Sequence, residues 1–261
     1  MSDASLLTLR DIRLSFGGQT VLDGIDLDVR AGEILGLIGP NGSGKTSLCN
    51  VISGLYQPQR GRIRLGEHEI AGRPAHEIAS RGVARTFQGA EVLPGLTVIE
   101  NVLVGRECKW HAGLWSILAR LPSSARESRQ HLCICQAALE VVGLLSMADA
   151  VASELPFAQR KLVEIARCIA MQPRVLMLDE PTSGMTSGEK DRVSKIVRRL
   201  RAENDLAIIL IEHDVFMVRS LTARTVVLNF GKKIADGPTA RVFDEPAVRS
   251  VYMGEAAAAA S

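Results

Sequence analysis

The sequence predicts an α/β fold: a mainly parallel sheet core, an antiparallel β subdomain and an inserted helical subdomain. Three observations carry this. Residues 34–38 (ILGLI), 175–178 (VLML) and 206–211 (LAIILI) are aliphatic runs without alternation, as strands buried on both faces require. Helical spacing returns between such runs, and strand–helix–strand repetition with long crossovers means a parallel sheet. Between residues 90 and 172 strand patterns vanish and helical ones dominate, which marks a helical insertion.

The elements follow in order. Residues 6–38 read as strands, with Leu7, Leu9, Ile12 and Leu14 apolar and Leu27 and Val29 alternating with acids and Arg30. A helix starts at Lys45, carries Leu48 and Ile52 on one side and ends at Gly54. Residues 55–88, with stretches such as RIRLGEHEI, read as a strand pair and connections. In the helical block, Leu132, Cys135, Leu139 and Val142 recur at helical spacing, as do Leu162, Ile165 and Ile169. A loop around Leu121, Pro122, Ser123 and Ser124 separates its pieces. A later helix starts near Ser187 with Val193, Ile196, Val197 and Leu200 on one stripe, and residues 226–235 read as a hairpin turning at Gly231. The expected domain spans residues 6–254, followed by an Ala-rich tail, 255–261, read as a frayed end.

Composition bounds the function. The chain has 261 residues, 46% hydrophobic and 23% charged, enough for one large α/β domain with a subdomain. A formal net charge of +2 supplies no field for holding nucleic acid, so no nucleic-acid partner is expected. The longest aliphatic run, 206–211, falls far short of the ~20 apolar residues of a membrane span. The start, MSDASLLTLRD, has an early acid and no apolar core of a signal peptide. The expectation is a cytosolic chain that meets a membrane only through partners. The five cysteines (Cys49, Cys108, Cys133, Cys135, Cys168) make no CxxC pair, and no cluster completes a metal site around Cys133 and Cys135; they read as reduced thiols.

Chemistry enters with Gly39, Pro40, Asn41, Gly42, Ser43, Gly44, Lys45 and Thr46, which match G-x-x-x-x-G-K-[ST] between a strand and a helix. The glycines open backbone conformations closed to other residues, so that loop N–H groups and the helix N-terminus converge on phosphate. Lys45 is placed for the β- and γ-phosphates of ATP and the Thr46 hydroxyl for Mg²⁺. The alternative is a Gly-rich turn. Asp179, at the end of a buried strand, is placed to hold Mg²⁺ through water, and Glu180 to polarise the attacking water.

GPNGSGKT, the Gln88 of RTFQG, LPFAQRKLVEIARCIA, MLDEPTSGM and IEHD stand in the order of ABC-type ATPases, which the chain resembles over roughly residues 6–254. The resemblance implies ATP hydrolysis and further roles. Phe16 lies where the family places an aromatic under adenine; the plain alternative is a core or edge aromatic. Gln88 matches the glutamine that senses Mg²⁺ and the attacking water and links to the transmembrane partner, and His213 the histidine that contacts the γ-phosphate. Leu155, Pro156, Phe157, Ala158 and Gln159 match the signature that closes over the ATP of a second subunit, arranged head to tail.

Ile99-Glu100-Asn101-Val102, QRKLVEIARCIA and the ending VYMGE resemble the ATP-binding subunits of branched-chain amino-acid importers. Urea and amide importers and a lipopolysaccharide-export ATPase are near relatives. The implied partners are two transmembrane permease subunits, a second ATPase subunit identical or related, and indirectly an extracytoplasmic solute-binding protein. The implied place is the cytoplasmic face of the membrane. Leu93, Pro94, Leu96 and Val98 read as a docking surface or as local core. Two departures stand out. The general signature is LSGGQ; here Pro156 lacks a hydroxyl and an N–H, and Ala158 would be strained by roughly 1–2 kcal/mol if its position needs positive φ. Thr186 stands where Asp or Asn is usual and forms T-x-x-E with Glu189, read as a helix cap, with a cross-subunit contact as the alternative. The weighed rivals are a soluble ABC-type ATPase acting on DNA or the translation machinery, and a nucleotide-gated module that barely hydrolyses ATP.

Overall fold

A computed structural model describes residues 5–87, 89, 91–109, 122–203 and 205–251; Gln88, Leu121 and the Ala-rich tail lie outside them. The strands are β1 (Ser5–Phe16), β2 (Gln19–Arg30), β3 (Ile34–Ile38), β4 (Arg60–Leu65), β5 (His68–Glu69), β6 (Val83–Arg85), β7 (Val175–Asp179), β8 (Ala207–Ile211), β9 (Arg224–Asn229) and β10 (Lys232–Pro238). The helices are α1 (Lys45–Ile52), α2 (Ala75–Ser80), α3 (Val98–Val104), α4 (Pro122–Val142), α5 (Phe157–Ala170), α6 (Ser187–Glu203), α7 (Val215–Leu221) and α8 (Thr239–Val242). Among the described residues no helix is long and apolar enough to cross a membrane.

Two sheets form. An antiparallel one runs β2-β1-β4-β5, and a mainly parallel one runs β10-β9-β3-β8-β7-β6, with β10 antiparallel at its edge. The apolar phase of β1 shifts between Leu9 and Ile12, and the structure meets this with a register shift there and Asp11 at φ 48°. Leu7, Leu9, Ile12 and Leu14 are consequently all buried.

The unbroken runs are explained by two cores. Val175, Met177, Ala207, Ile209 and Ile211 face a core shared with the antiparallel sheet and α1. Leu176, Leu178, Ile208 and Leu210 face a second core built with α3, α4, α5 and α6. Both faces of β7 and β8 are therefore apolar, and alternation disappears. Parallel register sets Leu37 beside Ile211 and Ile211 beside Asp179, which aligns the carboxyl ends of β3, β8 and β7. In open α/β sheets ligands bind at that edge.

Gly54 follows α1 at φ 76°, where a Cβ would lie 2.7 Å from Arg73 O, so the helix stops at the predicted glycine. Three expectations need correction. Residues 55–88 hold a helix, α2, opened by Pro74 and anchored by buried Ile78; it is too short for a legible period. Pro122 opens α4 and lies in no loop, as a residue without an N–H is tolerated in a first helical turn. Leu132 is exposed and His131 buried: the inward stripe of α4 is His131, Cys135, Leu139 and Val142. Cys133 is exposed while Cys135 is buried, so the pair does not converge.

Candidate active site

The phosphate loop joins β3 to α1. At Gly39, φ is 150° and a Cβ would lie 2.1 Å from Leu228 O, so only glycine allows β9 to pass this close. Gly44 caps α1 without a side-chain hydrogen bond, which leaves the first N–H groups of the helix to the cleft. Lys45 Nζ donates to the carbonyls of Gly39 (2.7 Å) and Pro40 (2.9 Å), folded back over its own loop. Exposed Thr46 lines a polar cleft of about 310 Å³ with Asn41, Gly42, Ser43, Glu180 and His213.

Asp179 is 1% exposed. Its Oδ2 accepts from Arg85 at 2.7 Å, and Arg85 also donates to Asn50 of α1, which ties β6, β7 and α1 together. Its N–H donates to Thr86 Oγ1 at 3.0 Å. The other carboxylate oxygen, Oδ1, is buried with no hydrogen-bond partner. A buried charged oxygen left this way is poised for a cation or its water. With the Thr46 hydroxyl it offers hard oxygens of the kind Mg²⁺ takes beside phosphates. Among the described residues no group of three or more His, Cys, Asp or Glu could hold a metal ion.

Glu180 is held through its backbone and through one carboxylate oxygen. Its N–H donates to Ile211 O at 2.9 Å, its carbonyl accepts from Lys161 Nζ at 2.7 Å, and Oε1 lies 2.8 Å from His213 Nε2. It holds φ 47°, a left-handed conformation that costs roughly 1–3 kcal/mol in a non-glycine residue and aims the carboxylate at the phosphate loop. His213 stands two residues past the end of β8, after Glu212. The next residue, Asp214, caps α7, accepting from Phe216 and Met217 N–H. Lys190 reaches Asp214 at 2.7 Å and holds the carboxyl below its ordinary range.

Other expected residues stand elsewhere. Phe16 ends β1, half-exposed, edge-on to Tyr56 with ring centroids 5.1 Å apart, and does not line the phosphate cleft. Leu155–Gln159 also lie away from this cleft. Pro156 is the N-cap of α5, and Ala158 sits in its first turn without positive φ, so the strain considered from sequence does not arise. Glu189 accepts from the N–H and hydroxyl of Thr186, both at 2.8 Å, the cap read from the sequence. Val98 is core, while Leu93 and Pro94 are exposed.

The profile of the ABC transporter family matches residues 22–183. The chain belongs to the ABC transporter family. It is 38% identical to the high-affinity branched-chain amino acid transport ATP-binding protein BraF of Pseudomonas aeruginosa, over 96% of this chain and 98% of that one. The same identity and coverage hold for LivG of Escherichia coli, which carries the same description. Among solved structures, an ATP-binding cassette of an ABC transporter in its ADP conformation superposes with TM-score 0.82 at 30% identity, covering 96% of this chain and 99% of that one. A nucleotide-free cassette superposes with TM-score 0.80 at 29% identity, covering 95% and 99%. The chain is thus a nucleotide-binding ATPase of this family.

In this ABC ATPase the sequence reading missed Arg85, Asn50 and Lys161, whose contacts are made by register and packing. It also missed Glu212, buried after β8, which accepts from the Thr182 N–H (3.0 Å) and hydroxyl (2.7 Å) and fixes the turn after Glu180.

A second cavity among the described residues lies apart from the phosphate cleft. It is a more apolar groove of about 430 Å³, lined by Leu55, Phe87, Val104, Cys108, Met171 and Glu164 among others. Glu164 accepts from Phe87 N–H, next to Gln88 in the chain. Burial raises its carboxyl to about 7, against the N–H of Phe87 and the nearby Arg167 and Lys161, which favour the anion. A raised acid binds its proton more tightly folded than unfolded. Its contribution is complete below the ordinary value of 4.5 and lost as pH rises through about 7. Glu164→Gln is therefore expected to raise thermal stability at pH 8, by up to roughly 3 kcal/mol, and to leave it unchanged at pH 4.5. Melting curves at both pH values check this; equal shifts at both would contradict it.

Proposed function

We propose that this ABC ATPase energises the import of branched-chain or related amino acids through two membrane permease subunits. The observation that carries the ATPase part is the convergence of Lys45, Thr46, Asp179, Glu180 and His213 on one edge of the parallel sheet. The choice of substrate is supported by the names of relatives that match nearly end to end.

In this reading the N–H groups of residues 39–46 hold the phosphates, and Lys45 leaves its two loop carbonyls for the β- and γ-oxygens. Thr46 and the unpartnered Asp179 oxygen hold Mg²⁺ with Gln88, and bound Mg²⁺ neutralises charge on the phosphates. Glu180 orients a water for in-line attack on the γ-phosphorus; the bond to the β–γ bridging oxygen breaks, ADP leaves, and the water's proton ends on phosphate. His213 steadies Glu180 at 2.8 Å and contacts the γ-phosphate. Phe16 lies under adenine. Leu155–Gln159, away from their own phosphate cleft, cover the nucleotide of a second ATPase subunit. The apolar groove beside Phe87 receives a permease segment, which places the chain on the cytoplasmic face of the membrane, with a solute-binding protein acting outside.

Uptake tests this. In cells lacking the chain, uptake of radiolabelled leucine, isoleucine and valine is expected to fall to background. The wild-type chain restores it, and Val104→Asp, a charge placed on the exposed rim of the groove, does not. Purified Val104→Asp keeps its ATPase rate. Undiminished uptake in the deletion would overturn the substrate, and full rescue by Val104→Asp would overturn the docking site.

A further inference from the structure

We propose that Lys161 is a positioning residue for ATP hydrolysis, holding the backbone of Glu180 so that its carboxylate points at the phosphate cleft. The proposal rests on the reading of Glu180 as the residue that orients the attacking water.

Lys161 is 4% exposed on α5, just beyond the signature and one turn from Phe157. A lysine this deep needs partners. The charged groups facing it are Glu164 on its own helix and Asp179, Glu180 and Glu212 at the ends of β7 and β8. With four carboxylates near, Nζ still donates at 2.7 Å to a neutral oxygen, the carbonyl of Glu180. That bond grips a residue whose conformation is unfavourable by itself, with φ 47°. The Ile211 carbonyl takes the Glu180 N–H on the other side, so the peptide units flanking its Cα are both fixed. Rotation there would swing the carboxylate away from His213. Burial pushes the Lys161 ammonium down and the four carboxylates pull it up, consistent with a cation placed to act as a donor.

The stem is held in turn. Phe157, in the signature, lies with its ring 5.6 Å from Lys161 Nζ, and a Cβ on Gly184 would lie 3.3 Å from the same ring. The signature turn, Lys161 and the Glu180 carbonyl form one continuous contact. A lysine spans it because the donor must reach from a helix to a strand end through a packed layer; its charge is secondary.

Lys161→Met keeps the length and loses the donor. Steady-state ATPase of the full chain is expected to show kcat lowered ~10–100-fold with KM for ATP unchanged within about twofold, as displacement of a reacting group by about 1 Å does. Lys161→Leu, smaller and also without a donor, carries the same test where the Met variant does not fold. In a Glu180→Gln background, Lys161→Met is expected to lower the residual rate no further. A raised KM with unchanged kcat overturns the proposal, as does an equal fall of kcat in both backgrounds. If Glu180→Gln alone leaves turnover intact, the reading of Glu180 fails first, and the proposal with it.

Discussion

Glu180→Gln is expected to lower kcat for ATP hydrolysis by ~10²–10⁴, the usual contribution of a positioned acid–base group, with ATP affinity kept. The reasoning is geometric. The backbone of Glu180 is held by Ile211 and Lys161, and neither contact involves the carboxylate. Glutamine therefore takes the same place, keeps one oxygen for His213, and loses only the charge that orients water. Residues 39–46, to which the proposed reading assigns the phosphates, are untouched. A kcat lowered less than about threefold would remove Glu180 from the reaction, outside the range expected of such a group. Steady-state kinetics with a parallel nucleotide titration separates the two quantities.

Asp179→Ala is expected to be the most destabilising single change at the site. Arg85 is buried with its side chain 5% exposed, against an Asp179 side chain 1% exposed. Removing one partner of a buried ion pair leaves the other charge stranded, at about 3–5 kcal/mol. Denaturant midpoints measure this directly. Because the same carboxylate is assigned to Mg²⁺, lost activity alone would not separate the roles. The double variant Arg85→Met with Asp179→Leu does: replacing both charges by apolar groups is expected to recover most of the stability while hydrolysis stays absent. A stable but inactive Asp179→Ala would contradict the structural half; a stable and active double variant would contradict the metal half.

What the sequence revealed about this site divides by distance along the chain. The phosphate loop was legible because its physics is local: contiguous residues set the glycine conformations, the strand before and the helix after. Asp179 and Glu180 were legible because a buried run ends in two acids, and Glu189 announced its cap three residues after Thr186. Arg85 was not, since its partner lies 94 residues away and only parallel pairing of β6 with β7 brings them together. Lys161 was hidden similarly; a lysine on an amphipathic helix reads as solvated, and only packing against the end of β7 shows it buried.

The fold shows the same division. Unbroken aliphatic strands identified the parallel sheet because both faces are covered by core. The bulge at Asp11 was already written in the phase shift between Leu9 and Ile12. The helix after Pro74 was missed because six residues with a single buried side chain, Ile78, carry no period. On α4 the choice of Leu132 over His131 followed hydrophobicity. Arg106 decides otherwise, donating to His131 Nδ1 at 3.0 Å and making a buried polar side chain acceptable. Ala158 looked strained by comparison with glycine at that point of the general signature, but α5 begins one residue earlier and the backbone there is ordinary helix.

In the proposed reading each ATP is enclosed between the phosphate loop of one subunit and the signature of another, a reading supported by the distance of the chain's own signature from its phosphate cleft. Size-exclusion chromatography with light scattering on purified Glu180→Gln tests it most directly. With ATP and Mg²⁺ a dimer is expected, and with ADP a monomer, which would show that Pro156 and Ala158 still form a working clamp. A protein that binds ATP and remains monomeric would contradict self-pairing and assign completion of the site to a different ATPase subunit or to the membrane partners.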